Sequence, residues 1–233
     1  MTDLAIRSSQ EERMDAADLD GPTYAAVLKD LARVNRWTLT ARPVLAFLRQ
    51  MALGTRSFSL LDVGFGHGDI LRAIDRWARA HGIAAKLVGV DLNPRSAGIA
   101  QAATGPAANI DFRTGDYADQ TDGFDFIVSS QVAHHMTSQQ LLDFIAHMER
   151  AARRGWLISD LHRHRLSHAG YPVLARAMRV HPIVREDGRL SIARSFRPRE
   201  WAEIVGQAGV AADTVRIRRR FPFRLSVERS KVC

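Results

Sequence analysis

The sequence predicts an α/β fold: a mainly parallel sheet with helices on both faces, closed by a C-terminal antiparallel hairpin and preceded by N-terminal helices. Three observations carry that prediction. Apolar runs of strand length alternate with amphipathic segments of helix length from residue 58 onward. The first run, Phe58-Ser-Leu-Leu-Asp-Val63, breaks into glycines at alternate positions, Gly64, Gly66 and Gly68, before Ile70 starts a helix. The acids Asp62, Asp91, Asp116 and Asp160 each follow or end an apolar run, which is where ligands gather in such sheets.

In chain order, residues 1–20 are polar and acidic, and their composition predicts little order. Asp20-Gly21-Pro22-Thr23 reads as a turn into a helix, with Tyr24, Val27, Leu28, Leu31 and Val34 recurring at three and four. Pro43 to Met51 repeats that pattern, and Arg33, Asn35, Arg36 and Trp37 between the two are candidate lid residues. After the glycine loop come a helix to about Ala80, a strand Ala85 to Asp91, a helix Arg95 to Ala102 and a short strand from Ile110 ahead of Asp116. Phe124 to Ser130 is the fourth strand, Ser138 to Arg150 a helix capped by Thr137 or Ser138, and Gly155 to Leu161 the fifth strand. Residues 165–182 interrupt the alternation as an insert with its own helical pattern, and Tyr171, Leu174, Met178 and His181 are candidates to line a pocket there. A helix from Phe196 to Ala208 and a hairpin of Thr214 to Arg220 with Phe223 to Glu228 close the chain.

Glycine belongs where backbone takes positive φ or approaches a ligand, and a helix N-terminus adds free N–H groups, so the loop at 64–68 is a nucleotide or cofactor corner. The dinucleotide fingerprint G-x-G-x-x-G would put its third glycine at 69, which is Asp69; here it is Gly68. Asp62, the G-x-G-x-G loop, and a strand ending in Asp91 one strand–helix unit later resemble the class I S-adenosylmethionine (SAM) dependent methyltransferases. The resemblance implies a Rossmann-like fold with SAM as cofactor. SAM carries an ammonium and a sulfonium, so an acid at the strand end suits it. By the same resemblance Asp62, Gly64, Gly66 and Gly68 cradle the cofactor and His67 meets its methionine end. Asp91 then accepts the ribose hydroxyls, Leu92 lies on the adenine, Asp116 binds the adenine amino group, and Tyr117 and Ser130 stand beside it. On that reading residues 1–52 form a helical lid or extension and 53–233 the SAM-binding domain.

The Leu19-Asp-Gly-Pro22 leader, Ala32 to Arg36, His134-His135, Asp160 to His164 and Phe221 to Arg224 are similar to a bacterial group of methyltransferases. That likeness implies a small aromatic, quinone-like or polyketide acceptor, methylated on a hydroxyl. Methyl transfer from a sulfonium is an in-line displacement. Alignment can supply up to roughly 7–11 kcal/mol of it, and a base about 10²–10⁴-fold. Histidine is the natural base near neutral pH. His135 is the first candidate, His134 the second and His162 the third. These histidines with Asp160 also resemble a metal set, but magnesium prefers carboxylates and water to imidazole, so no metal is expected.

Composition narrows the classes. The chain has 233 residues, 46% of them hydrophobic, enough for one sizeable core. Its one cysteine is Cys233, which removes the cysteine-nucleophile enzymes and internal disulfides and fits a reducing cytoplasm. No apolar run nears the roughly 18 residues that span a bilayer, and an acidic start is unlike a signal peptide, so no membrane insertion is expected. Net charge is −3 over residues 1–150 and +11 over 151–233, which admits an RNA substrate. Against nucleic acid, Ser129-Ser130-Gln131-Val132 stands where base methyltransferases carry an Asn/Asp-Pro-Pro-aromatic motif. Methylation at carbon or nitrogen of a small molecule, or of RNA, is the alternative to O-methylation. The expected assembly is a monomer or homodimer.

Overall fold

The computed structural model describes residues 4–231. Seven strands form one sheet in the order β3-β2-β1-β4-β5-β7-β6. They are β1 (Ser57–Val63), β2 (Ala84–Asp91), β3 (Ile110–Thr114), β4 (Phe124–Ser130), β5 (Ala152–Leu161), β6 (Val215–Arg220) and β7 (Arg224–Ser230). The first five run parallel, and β7 runs antiparallel to both β5 and β6. The order reverses between β1 and β4, so a crevice opens at their carboxyl ends.

Strand side chains alternate between two cores, as the pleat requires. Phe58 and Leu60 of β1, Phe126 and Val128 of β4 and Leu157 of β5 pack with α2 (Ala41–Met51), α3 (Asp69–Ala80) and α4 (Pro94–Ala102). Leu61 and Val63, Ile127, Trp156 and Ile158 face the other way, against α5 (Ser138–Ala151) and α8 (Pro198–Gln207), and Phe124 joins them because the pairing of β4 with β5 shifts register between Phe124 and Phe126. Such two-faced burial explains why these strands read as continuous apolar runs. In α3, Ile70, Leu71, Ile74, Trp77 and Ala78 fall on one stripe and bury it.

A third cluster stands off the sheet. Val27 and Val34 of α1 (Gly21–Trp37), Ala175 of α6 (Arg165–Ala177) and Val180, Ile183 and Val184 at the start of α7 (Pro182–Arg194) pack together. α1 begins where the sequence predicts it, with Asp20 accepting the Thr23 amide at 2.8 Å. It runs through Trp37, so Arg33, Asn35, Arg36 and Trp37 belong to the helix and not to a connection.

Two expectations fail. Residues 4–20 are anchored at a few points although most are exposed: Leu4 and Glu12 are buried, Ser8 donates to the Ala193 carbonyl, and Arg7 bridges to α7. These polar anchors reach α7 and the β4–α5 turn, which composition does not register. Residues 1–3 lie outside the described part. The other failure is α7, for which 165–182 alone is read as the insert; α6 and α7 together form an antiparallel pair.

Candidate functional site

A cavity of about 480 Å³ opens at the carboxyl ends of β1, β2 and β4. Its floor is the glycine loop. Gly64, Gly66 and Gly68 all have positive φ, 77°, 51° and 77°. A Cβ on Gly64 would sit 2.4 Å from Val132 Cγ2, and one on Gly68 2.8 Å from the Phe112 ring, so two of the three are glycine for space as well. Phe65, between the first two, is buried against Phe112 with ring centroids 5.0 Å apart, which anchors the loop with roughly 1.5–3 kcal/mol of apolar burial.

Asp91 ends β2 at the rim of this floor. Its Oδ2 accepts the Gly66 amide and its Oδ1 the Asn93 amide, both at 2.9 Å. Each oxygen keeps a lone pair for a ligand hydroxyl. Burial pushes its pKa up, against those two amides and the Ser96 hydroxyl. Asp62 is wholly buried, and neither of its oxygens has a partner. Desolvation, with Asp69 and Asp91 nearby, pushes its carboxyl up to about 8. A neutral, unbonded acid at the cavity wall is the feature that a ligand ammonium would satisfy. His67 also lines the wall; its Nδ1 meets the Arg72 guanidinium at 2.8 Å, and burial followed by Arg72 depresses it to about 4. Leu92 is exposed at the mouth, Asp116 caps its own turn through the Ala118 amide, and Tyr117 and Ser130 complete this end. All ten residues expected around the cofactor are thus near one cavity, and nine line it, with Gly68 behind the loop.

Asn35 comes from α1 to the same floor. Its amide donates to Asp69 Oδ2 at 3.3 Å and its carbonyl oxygen accepts from Gln131 Nε2 at 2.5 Å. α1 is thereby tied to the loop after β4 by one side chain.

The far end of the cavity holds the histidine pair, in a turn at 133–135. His134 is buried. Its Nδ1 lies 2.7 Å from Asp160 Oδ1, and its backbone amide donates to Asp160 Oδ2 at 2.9 Å. Asp160 is buried, which alone would raise it, yet His134 and the amide donors hold it below the usual carboxylate range. His135 sets its Nδ1 2.7 Å from Asp15 Oδ2. Burial works to lower its pKa, but the Asp15 bond and the Glu12 charge outweigh that and raise it. His162 is elsewhere: its amide donates to Phe223, its ring faces His164, it does not line the cavity, and burial beside His164 depresses it to about 4.

Several lining residues have no counterpart in the sequence reading: Glu12, Met14 and Asp15 from the N-terminal strap, and Val184, Asp187, Gly188 and Ser191 from α7. Tyr171, Leu174, Met178 and His181, expected to line a pocket, do not. Tyr171 instead lies behind α7, donating to the Val184 carbonyl at 2.7 Å. Arg7 Nη2 donates to the His134 and Met136 carbonyls at 2.8 Å each, and Arg194 to those of His134, His135 and Gln10. These two arginines fix the histidine turn from outside.

Residues 60–155 match the family model described as a methyltransferase domain. Among solved structures, the chain is similar to magnesium protoporphyrin IX methyltransferase from Synechocystis PCC 6803 with bound S-adenosylhomocysteine (SAH). They share 19% identity over 94% of this chain and 92% of that one, with a TM-score of 0.57. The plantazolicin methyltransferase BpumL in complex with SAH is 13% identical over 88% and 89% with a TM-score of 0.66. A SAM-dependent methyltransferase from Aquifex aeolicus is 17% identical over 92% and 100%, TM-score 0.62. No curated protein matches the chain in sequence. The fold is that of the class I methyltransferases, and in fold and in the matched segment the chain resembles the SAM-dependent ones.

Proposed function

We propose that this chain is a SAM-dependent methyltransferase that methylates a hydroxyl of a small aromatic or polyketide-like molecule. One observation supports it above the others: a single cavity has an amide-held Asp91 at one end and two carboxylate-backed histidines at the other. That is the separation of labour methyl transfer asks for, a held donor and a deprotonated acceptor. Asp91 would bind the ribose, Asp62 the ammonium, and the glycine loop the methionine portion. SAM supplies the electrophilic methyl.

His135 is the proposed base. With Nδ1–H donated to Asp15, its Nε2 is free to take the acceptor proton, and its raised pKa makes it a stronger proton acceptor once it is neutral. His134, backed by Asp160, is the second candidate; His162 drops out because it is remote from the cavity. The acceptor would enter between the strap at 12–15 and α7, over Met14, Met136 and Val184, a partly apolar wall suited to a flat small molecule. α1 with the strap acts as the lid. No helix among the described residues is long and apolar enough to cross a membrane. With one cysteine in the chain, we place the enzyme in the cytoplasm.

The test is a screen of phenols, hydroxyquinones and polyketides with SAM, followed by mass spectrometry. A gain of one methylene unit on an oxygen, with SAH released in equal amount, is the expected outcome. Methylation confined to amines, carbon or RNA would overturn the hydroxyl assignment.

A further inference from the structure

We propose that Glu12, His134 and His135 form a binding site for a divalent transition metal, of the kind zinc, cobalt or iron(II) occupies. The two Nε2 atoms face one carboxylate: His134 Nε2 lies 3.5 Å from Glu12 Oε1, and His135 Nε2 3.8 Å from Glu12 Oε2. One ligand atom from each of the three residues falls within 4.8 Å of the others. Around an ion bound at about 2.0–2.2 Å, ligand atoms stand roughly 3–3.5 Å apart, so the set closes by at most roughly 1.5 Å to hold one, within reach of small side-chain rotations.

What separates this cluster from an ordinary ion pair is its outer layer. Each histidine spends its Nδ1 on a different carboxylate, Asp160 for His134 and Asp15 for His135, both at 2.7 Å. Metal-ligating histidines show that arrangement, because it fixes the ring and leaves Nε2 as a lone pair. Glu12 supplies the second independent sign. It is 3% exposed, lines the cavity, and its Oε1 accepts no hydrogen bond. Its Oε2 is oriented by Ser191 Oγ at 2.9 Å. The nearest cation, Arg194, is 3.8 Å from Oε1 and gives its N–H groups to three carbonyls.

Charge points the same way. Glu12, Asp15 and Asp187 line this end of the cavity and Asp160 stands behind His134, an acidic surround suited to a dication that Arg7, Arg194 and, beside Asp160, Arg224 offset only in part. Two imidazoles and one carboxylate with an open side are the donor set of catalytic zinc and of non-haem iron. The open side is the cavity, where an acceptor oxygen would complete the coordination and ionise more readily. With the ion bound, both Nε2 atoms are engaged, and the metal takes over from His135 the task of favouring the oxyanion. Binding of the ion itself does not depend on the methyl-transfer reading.

The experiment is a titration of tag-free, chelator-treated protein with Zn²⁺ against a chromophoric zinc indicator, without SAM. Co²⁺ absorption and elemental analysis after dialysis accompany it, and thermal melts confirm folding. One equivalent retained, weakened at least tenfold by Glu12→Gln and by His135→Ala and less by Asp15→Asn, is the result expected. His135 is partly exposed, so its variant decides the matter even where Glu12→Gln fails to fold. Substoichiometric retention, or affinity unchanged in a folded His135→Ala protein, would overturn the site. Methylation of an acceptor without any metal retention would sink this inference and leave the proposed function standing.

Discussion

The two ends of the cavity are built in different ways. The cofactor end comes almost entirely from residues 62–69 and 91–93, two strand-to-helix corners joined by one crossover, with the Asp91 carboxylate bonded to the Gly66 amide as the link between them. The histidine end is assembled from residues 12, 15, 134, 160, 187 and 194, carried by a strap, the turn after β4, the end of β5 and α7. A local corner is rigid through backbone geometry; a collected site is rigid only if each side chain is held by others, as Arg7 and Arg194 hold the carbonyls of the histidine turn. The lesson is that one end of a cavity can rest on the fold's own corners while the other is gathered from afar.

The comparison breaks most sharply on His135. His135→Ala should lower turnover by about 10²–10⁴-fold with SAM affinity nearly unchanged, because the two ends do not share side chains. Steady-state rates on an identified acceptor check this; wild-type turnover would remove His135 from the chemistry. In the metal-free enzyme, turnover should rise with pH through a value above 6.5, since Asp15 and Glu12 outweigh burial to hold the proton on His135 and only its neutral form accepts another.

Asp91→Ala strikes the other end. Losing a charged acceptor for two hydroxyls should weaken SAM by about 10–100-fold, and calorimetry reads it directly. The acceptor end should keep its His135 titration by NMR in that variant.

Asp62 gives a smaller, pH-coded effect. Its carboxyl is neutral below about 8 in the free protein, and a ligand ammonium would lower that value. Binding then releases a proton, so SAM affinity should climb from pH 6 to 8 by less than tenfold per unit, and Asp62→Asn should flatten the climb. The same group weakens the fold as pH rises: its contribution is full below the unfolded value of 3.8 and is lost as pH passes through about 8. Melting curves of the two proteins against pH measure that slope.

The smallest expected effect is structural. Thr137 caps α5 in a reciprocal box with Gln140, directly after the histidine turn. Thr137→Ala should cost about 1 kcal/mol of stability, seen as a lower Tm, without moving SAM affinity.

The strand–helix alternation, the glycine corner and Asp91 are legible because each depends on neighbours within about one strand–helix unit, where spacing and periodicity speak; the strand order is set by pairings across the sheet. The strap was misread because its burial is polar: Glu12 and Asp187 are buried by pairing with Ser191 and the Arg13 and Met14 amides, and no local pattern announces partners 170 or more residues away. α7 was missed for a related reason. A glycine stands in its middle, where a helix is least announced: Gly188 is glycine because the Tyr171 ring occupies the space where a Cβ would stand, 2.2 Å away. His134 and His135 were legible as candidates by position after β4, while His162, also after a strand, is turned toward the β6–β7 connection. A place at the carboxyl edge of the sheet does not by itself make a site residue, as His162 shows, nor is it required, as Glu12 and Asp15 show.

The most direct test of the central claim, that this cavity holds SAM between a ribose acceptor and a histidine base, is a calorimetric titration of the intact chain with SAM and SAH beside NAD and ATP. The account predicts one-to-one, micromolar binding of SAM and SAH alone. Absence of binding by both, or a preference for NAD or ATP, would contradict it.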